Sequence, residues 1–213
     1  MTHPRIRIIK VGGSLLEYDQ LSRLLTDWLA QTDRDQTNES VPTTDRIDVL
    51  IAGGGGLADH VRQLDRRFSL DSETSHWMSI GAMSCTSRLL ASLLRVGPPR
   101  VCWGELHVLA GDCSEPIVFD AQAWLVKTER SQPGVRLTHD WQTTSDSIAA
   151  RLARVLNADE LVLLKSTDLP AGTDWCVAGG QGLVDEHFHR IAAELPSIVW
   201  VNLRQLETRS AVR

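Results

Sequence analysis

Four consecutive glycines, Gly53 to Gly56, separate the apolar run Ile47 to Ile51 from a segment that repeats apolar residues at Leu57, Val61, Leu64 and Phe68. An apolar run of strand length that ends in glycine and opens into a helical period marks a strand-to-helix junction. Four glycines also lose more conformational entropy than a simple turn requires, which points to a backbone that must approach something closely. The same alternation recurs along the chain. Ile6 to Val11 reads as a first strand and Tyr18 to Gln31 as a helix with Leu21, Leu24, Leu25, Trp28 and Leu29 on one face. The polar stretch Thr32 to Asp45 reads as a surface connection, and a long helix is expected from about Ser72 to Arg95. Weaker strands follow near Val101 to Trp103, Leu106 to Leu109 and Ile117 to Phe119. Ser145 reads as the cap of a helix carrying Ile148, Leu152, Val155 and Leu156, followed by a buried strand, Glu160 to Leu164; Asp185 to Leu195 and Ile198 to Val201 close the chain as helix and strand. Such alternation predicts a mostly parallel sheet covered on both faces, a three-layer α/β/α sandwich formed by one domain.

Composition narrows the function. A net charge of -5 gives no footprint for nucleic acid, no apolar stretch reaches membrane-spanning length, and no apolar signal region follows Met1, so a cytoplasmic enzyme is expected. The four cysteines (Cys85, Cys102, Cys113, Cys176) are scattered, mostly in apolar segments, and read as buried free thiols.

Ligands of parallel α/β sheets bind at the carboxyl ends of the strands. Three segments fall there: Gly12-Gly13-Ser14 after the first strand, the glycine run after the second, and Lys165-Ser166-Thr167-Asp168 after a late one. The chain has three lysines against nineteen arginines, yet two of the three, Lys10 and Lys165, stand at strand ends beside such loops. Lys10 is read as an exposed ammonium. A compact cation beside glycine amides and helix N-termini suits a transferring phosphoryl group, whose charge spreads over its oxygens. Gly53, Gly55 and Ala58 fit a loose dinucleotide pattern, but the acidic residue wanted about 20 positions on falls at a helix start, as Asp71 or Glu73. The signatures of P-loop ATPases, α/β-hydrolases and zincins do not occur. His76, Trp77 and Met78 open a helix, where packing and function are equally open readings; Asp185, His187 and His189 read as a solvated helix face and not a metal set.

Lys10-Val11-Gly12-Gly13-Ser14, the Gly53 to Gly56 loop, Thr144-Ser145-Asp146 and Leu163-Leu164-Lys165-Ser166-Thr167-Asp168 together resemble the amino acid kinase family, which includes aspartate, acetylglutamate, uridylate and isopentenyl phosphate kinases. Gly55 to Asp59, His76 to Met78 and Leu137 to Ala150 are most similar to the small aminomethylfuran phosphate kinases of methanofuran biosynthesis, in one-carbon metabolism. The resemblance implies a carbamate kinase-like fold, with an acceptor lobe over about residues 1–140 and a nucleotide lobe over about 141–213. It implies ATP and Mg²⁺, a small phosphate-bearing acceptor, and a homo-oligomer, most simply a dimer. By resemblance Lys10, Asp146 and Lys165 are catalytic. Gly12, Gly13, Ser14, Thr167 and Asp168 bind nucleotide, and Gly53, Gly54, Gly55, Gly56, Asp59 and His76 face the acceptor. Several members of the family carry a second lysine after a late Gly-Gly pair, whereas Gly179-Gly180-Gln181-Gly182 has none after it. Two alternatives therefore stand beside a phosphate kinase: a nucleotide-binding regulatory or storage protein without turnover, and an acyl-phosphate-forming amino acid kinase.

Overall fold

The computed structural model describes residues 5–36, 46–102, 104 and 115–206. Five strands, β1 (Arg5–Val11), β2 (Arg46–Ala52), β3 (Ile117–Val118), β4 (Glu160–Lys165) and β5 (Ile198–Asn202), form one parallel sheet in the order β3-β2-β1-β4-β5. The chain leaves β1 toward β2 and β3 on one side and later returns to place β4 and β5 on the other. The crevice of such a sheet lies where the winding reverses, at the carboxyl ends of β1 and its neighbours. Among the described residues the helices are α1 (Leu21–Gln36), α2 (Gly55–Phe68), α3 (Ser72–Leu94), α4 (Gln122–Lys127), α5 (Ser145–Leu156), α6 (Trp175–Gly180) and α7 (Phe188–Ala192). None of them is long and apolar enough to cross a membrane.

Strand parity sorts the core into two layers. Ile8, Val49, Ile51, Leu161 and Leu163 face a cluster built with α5, the first half of α3, α4 and α7. Their sequence neighbours Ile9, Leu50, Val162 and Leu164 face the opposite cluster, with α1 and the second half of α3. Both faces are covered, which is the predicted three-layer architecture. Arg151, fully buried on α5, pairs with Glu129 at 2.8 Å and donates to the Pro133 and Gln132 carbonyls, tying the helix to the segment beside it.

Several expectations change. The first helix starts at Leu21 because the chain after β1 makes tight turns, with Leu21 N–H donating to Tyr18 O. On α2 only Val61 is buried, while Leu57 and Phe68 are 50% and 62% exposed, so its apolar stripe is not a core stripe. Helix α7 is far shorter than Asp185 to Leu195, because Asp185 is engaged elsewhere. Cys85, Cys102 and Cys176 are free thiols but exposed: the buried stripe of α3 runs through Ile80, Met83, Ser84 and Ser87 and leaves Cys85 outside. Val101 and Cys102 belong to no strand, although Arg100 bridges Phe119. The strand expected at Leu106 to Leu109, together with Trp103, Cys113 and most of the Thr32 to Asp45 connection, lies outside the described residues.

Candidate active site

Lys10 pairs in register with Leu163 across the β1–β4 ladder, and Lys165 stands two residues further along β4. A period of two places both side chains on the face packed against α5. Asp146, in the first turn of α5, sits between them: Lys10 Nζ lies 2.9 Å from its Oδ1 and Lys165 Nζ 2.9 Å from its Oδ2. Lys165 also donates to the Leu183 carbonyl at 2.6 Å and lies 5.2 Å from the Trp200 ring. Lys10 and Asp146 are buried and Lys165 is partly buried, so the expectation of an exposed Lys10 is corrected: its side chain is 4% exposed. Parity, not solvent, directs it, and Asp146 compensates its charge.

The electrostatics follow from this packing. Burial pushes the Asp146 carboxyl up, but Lys10 and Lys165 outweigh it and hold the group below the ordinary carboxylate range. Burial, with the like charge of Lys10, lowers Lys165 to about 8, against the pull of Asp146. Two ammoniums held around the Asp146 carboxylate concentrate charged hydrogen-bond donors at a sheet edge, which is what polyphosphate oxygens require.

The glycine loops meet at the same edge. A Cβ on Gly13 would stand 2.7 Å from the Gly55 nitrogen, and one on Gly53 2.7 Å from the Gly13 nitrogen, so the two loops touch backbone to backbone. Gly55 adopts a φ of +54°, favourable only without a side chain. Not every glycine amide is available to a ligand. Gly12 N–H donates to Leu164 O at 2.8 Å and Gly53 N–H to Val11 O at 2.9 Å, extending the sheet; these two shape the turns and do not donate to a phosphate. The buried Thr86 hydroxyl holds the Gly53 carbonyl from α3 at 2.8 Å. Gly13, Ser14, Gly54 and Gly55 line a cavity of about 240 Å³, where α2 begins with Gly54 as its N-cap and no side-chain cap. Gly56, one residue further, does not line it.

Asp59 and His76 line this cavity, and so does Arg62, which sequence reasoning missed. Arg62 donates to Asp59 at 2.6 Å and stacks 4.7 Å over Trp141, whose indole N–H is held by Asp65 at 2.6 Å. Its place one turn beyond Ala58 on a helix whose first residues face the loops was the available signal. His76 stacks on His139 at 4.9 Å; burial, then His139, lowers its pKa, so at neutral pH it is an uncharged donor or acceptor.

A second cavity of about 440 Å³ is lined by Lys165, Asp146 and the Gly179 to Glu186 segment, and shares Arg62, Trp141 and Thr144 with the first. Thr167 and Asp168 line neither cavity: Thr167 O accepts from Trp200, and the Asp168 carboxylate is held by Asn202 and Gln205. Ser166 instead reaches the first loop, its hydroxyl 2.9 Å from that of Ser14.

The solvated face expected at Asp185, His187 and His189 is corrected at Asp185 and His187. Asp185 accepts from the Thr144 and Ser147 backbone N–H groups at 3.0 and 2.9 Å and from both hydroxyls, and thereby caps α5. Thr144, not Ser145, is the N-cap residue, and it makes no cap bond of its own. His187 is buried, with Nε2 against the Arg136 carbonyl at 3.0 Å.

A parallel sheet with glycine loops at its switch point and a lysine, aspartate, lysine triad behind them defines a class. The chain carries the amino acid kinase fold. No family model matches it. Over 165 residues, 76% of this chain and 67% of the relative, it is 23% identical to the (5-(aminomethyl)furan-3-yl)methyl phosphate kinase of Methanocaldococcus jannaschii. Uridylate kinase from Archaeoglobus fulgidus superposes with a TM-score of 0.60 at 14% identity, over 95% of this chain and 93% of that one. Aspartate kinase from Synechocystis gives a TM-score of 0.54 at 14% identity, over 91% of this chain and 38% of that one.

Proposed function

We propose that this chain is a kinase that transfers the γ-phosphoryl group of magnesium-bound ATP to a small acceptor that itself carries a phosphate, in the first instance an aminomethylfuran-methyl phosphate, forming its diphosphate. The observation that carries this reading is the Lys10, Asp146, Lys165 triad, with Asp146 and Lys165 in the wall of the second cavity and the glycine loops and Arg62 in the wall of the first. An acceptor phosphate oxygen in the first cavity attacks the γ-phosphorus in line, and the bond to the β,γ-bridging oxygen breaks as ADP leaves. The two ammoniums meet charge on the transferring and leaving oxygens, while Asp146 fixes their spacing. No covalent intermediate is required. Lys165 takes the place of the late lysine that the chain lacks, since its ammonium already contacts the Gly179 to Glu186 segment through Leu183. This proximity favours turnover over a purely nucleotide-binding role.

Magnesium would arrive with the nucleotide. Among the described residues no group of three or more His, Cys, Asp or Glu side chains could hold a metal, and Asp146 and Asp185 are engaged by lysines and by the α5 cap. When bound, the ion would supply neutralisation of the charge that develops during transfer.

The acceptor's phosphate is matched by the uncapped start of α2 and by Arg62, which Trp141 and Asp59 hold at the cavity wall. Calorimetry in the presence of a non-hydrolysable ATP analogue should therefore give tighter binding for small phosphomonoesters than for amino acids of similar size. Arg62→Ala should weaken phosphomonoester binding by about 10- to 100-fold, the range of a charge-assisted hydrogen bond. Tighter binding of amino acids would transfer the assignment to an acyl-phosphate-forming kinase.

We further read the chain as a cytoplasmic homodimer, with acceptor and nucleotide lobes dividing near residue 140. Exposed Met78 and Leu89 on α3 support a contact there. Light scattering should give twice the monomer mass at working concentration; a single monomer mass throughout excludes it.

A further inference from the structure

We propose that Asp185 is a positioning residue for the lysine, aspartate, lysine triad, acting by capping α5 from the late loop and so holding Asp146 between the two ammoniums. The inference rests on the kinase reading for its kinetic consequence, but not for its structural one.

A helix N-terminus is ordinarily capped by its own Ser, Thr, Asp or Asn. Helix α5 has Thr144 at that position and Ser145 next to it, yet neither makes the cap. The cap comes instead from a carboxylate some 40 residues later: Asp185 Oδ2 accepts from Thr144 N–H, the Thr144 hydroxyl and Ser147 N–H, and its Oδ1 from the Ser147 hydroxyl. A local cap would satisfy the same amides without closing a long loop, so a remote one has a different consequence: it fastens two parts of the site to each other. Two residues before Asp185, the Leu183 carbonyl receives Lys165 Nζ at 2.6 Å. Two residues after it, His187 N–H donates to Gln142 O at 3.0 Å and its ring contacts Arg136 O. Residues 183–187 thus touch Lys165, the start of α5 and the 140–144 strap that walls both cavities.

The charge of Asp185 reaches the triad as well. Burial, then the neighbouring Asp146, raises its pKa, while the Ser147 and Thr144 hydrogen bonds oppose the rise. The charged and polar groups facing Lys165 are Lys10 from β1, Asp146 from α5, Asp185 and the Leu183 carbonyl from the loop, and the Trp200 ring from β5. Of the two carboxylates, both favour the ammonium. Removing the Asp185 charge should therefore move the Lys165 midpoint downward from about 8.

The test uses Asp185→Asn, which keeps the shape and removes the charge. Protein labelled with ¹³C-lysine has three lysine Cε resonances, assignable by Lys→Arg exchange. In the parent, Lys165 should titrate near pH 8, and kcat/KM should fall above it as the ammonium is lost. In the variant the midpoint and the alkaline limb should both move down by about half a unit or more, with kcat/KM reduced about tenfold or more below the limb, because the triad is misplaced. If the Lys165 resonance titrates as in the parent, the proposal is overturned, and any lost activity reports only loosened folding. If the parent transfers no phosphoryl group to any acceptor, the kinase reading fails while the resonance still decides the role of Asp185. Should the variant not fold, Ser147→Ala removes one of the four donors and keeps the charge. A loss of about threefold or more in kcat at unchanged KM for ATP then supports the proposal, and parent kinetics overturn it.

Discussion

Lys10→Met should reduce phosphoryl transfer by about 10²- to 10³-fold, the loss that follows removal of one preorganised donor from a developing charge. Methionine conserves much of the buried volume, so the core layer beneath β1 stays filled. The charge balance also tolerates the change: Asp146 keeps Lys165 at 2.9 Å, and Lys165 loses a like-charged neighbour that now lowers its pKa. The fall in rate at high pH should therefore move upward from its position near 8 as Lys165 becomes harder to deprotonate. Initial rates over pH 6–10 with a phosphomonoester acceptor check both points. A variant that melts as the parent does and keeps its rate would remove Lys10 from the mechanism.

Asp146→Ala should be the most damaging single substitution, and to stability as much as to rate. Parent Asp146 compensates a buried and a partly buried ammonium. Removing one partner of a buried ion pair typically costs about 3–5 kcal/mol, because the remaining charge is stranded in low dielectric. The sign of the pH dependence follows from Lys165. Its folded pKa of about 8 lies below the ordinary lysine value of 10.5, so this group adds stability as pH rises from about 8 toward 10.5. Without Asp146 the folded pKa falls further, and the gain begins at lower pH. The deficit of the variant against the parent, measured by denaturant unfolding, should thus narrow as pH rises toward 8. A deficit that is constant between pH 6 and 8 would mean that Lys165 does not depend on Asp146 for its charge.

Much of this site was legible in the sequence because it is organised by strands. The alternation of apolar runs with helical periods gave the three layers, and the loops after β1, β2 and β4 were found together because parallel strands deliver their carboxyl ends to one edge. Lys10 and Lys165 could be paired in advance for the same reason. What escaped was tertiary. Nothing local distinguishes Asp185 from any acidic residue near a helix start, since its partners, Thr144 and Ser147, lie about 40 positions earlier. Arg62 is one of nineteen arginines, and only the fold brings it over Trp141. Gly12 and Gly53 were overread, because a glycine amide beside a phosphate site and one completing a sheet look alike until the ladder is known.

The two-residue period of the sheet acts on this protein as a reading frame. Lys165 is in frame with Leu161 and Leu163, and Lys10 with Ile8, so the cations belong to the same rows as the aliphatic side chains beneath α5. A single-residue insertion within β4 would turn Lys165 out of register with Asp146 and send it toward the leucines against α1. Core and chemistry are written in one phase, so a change that slips one strand cannot spare the other.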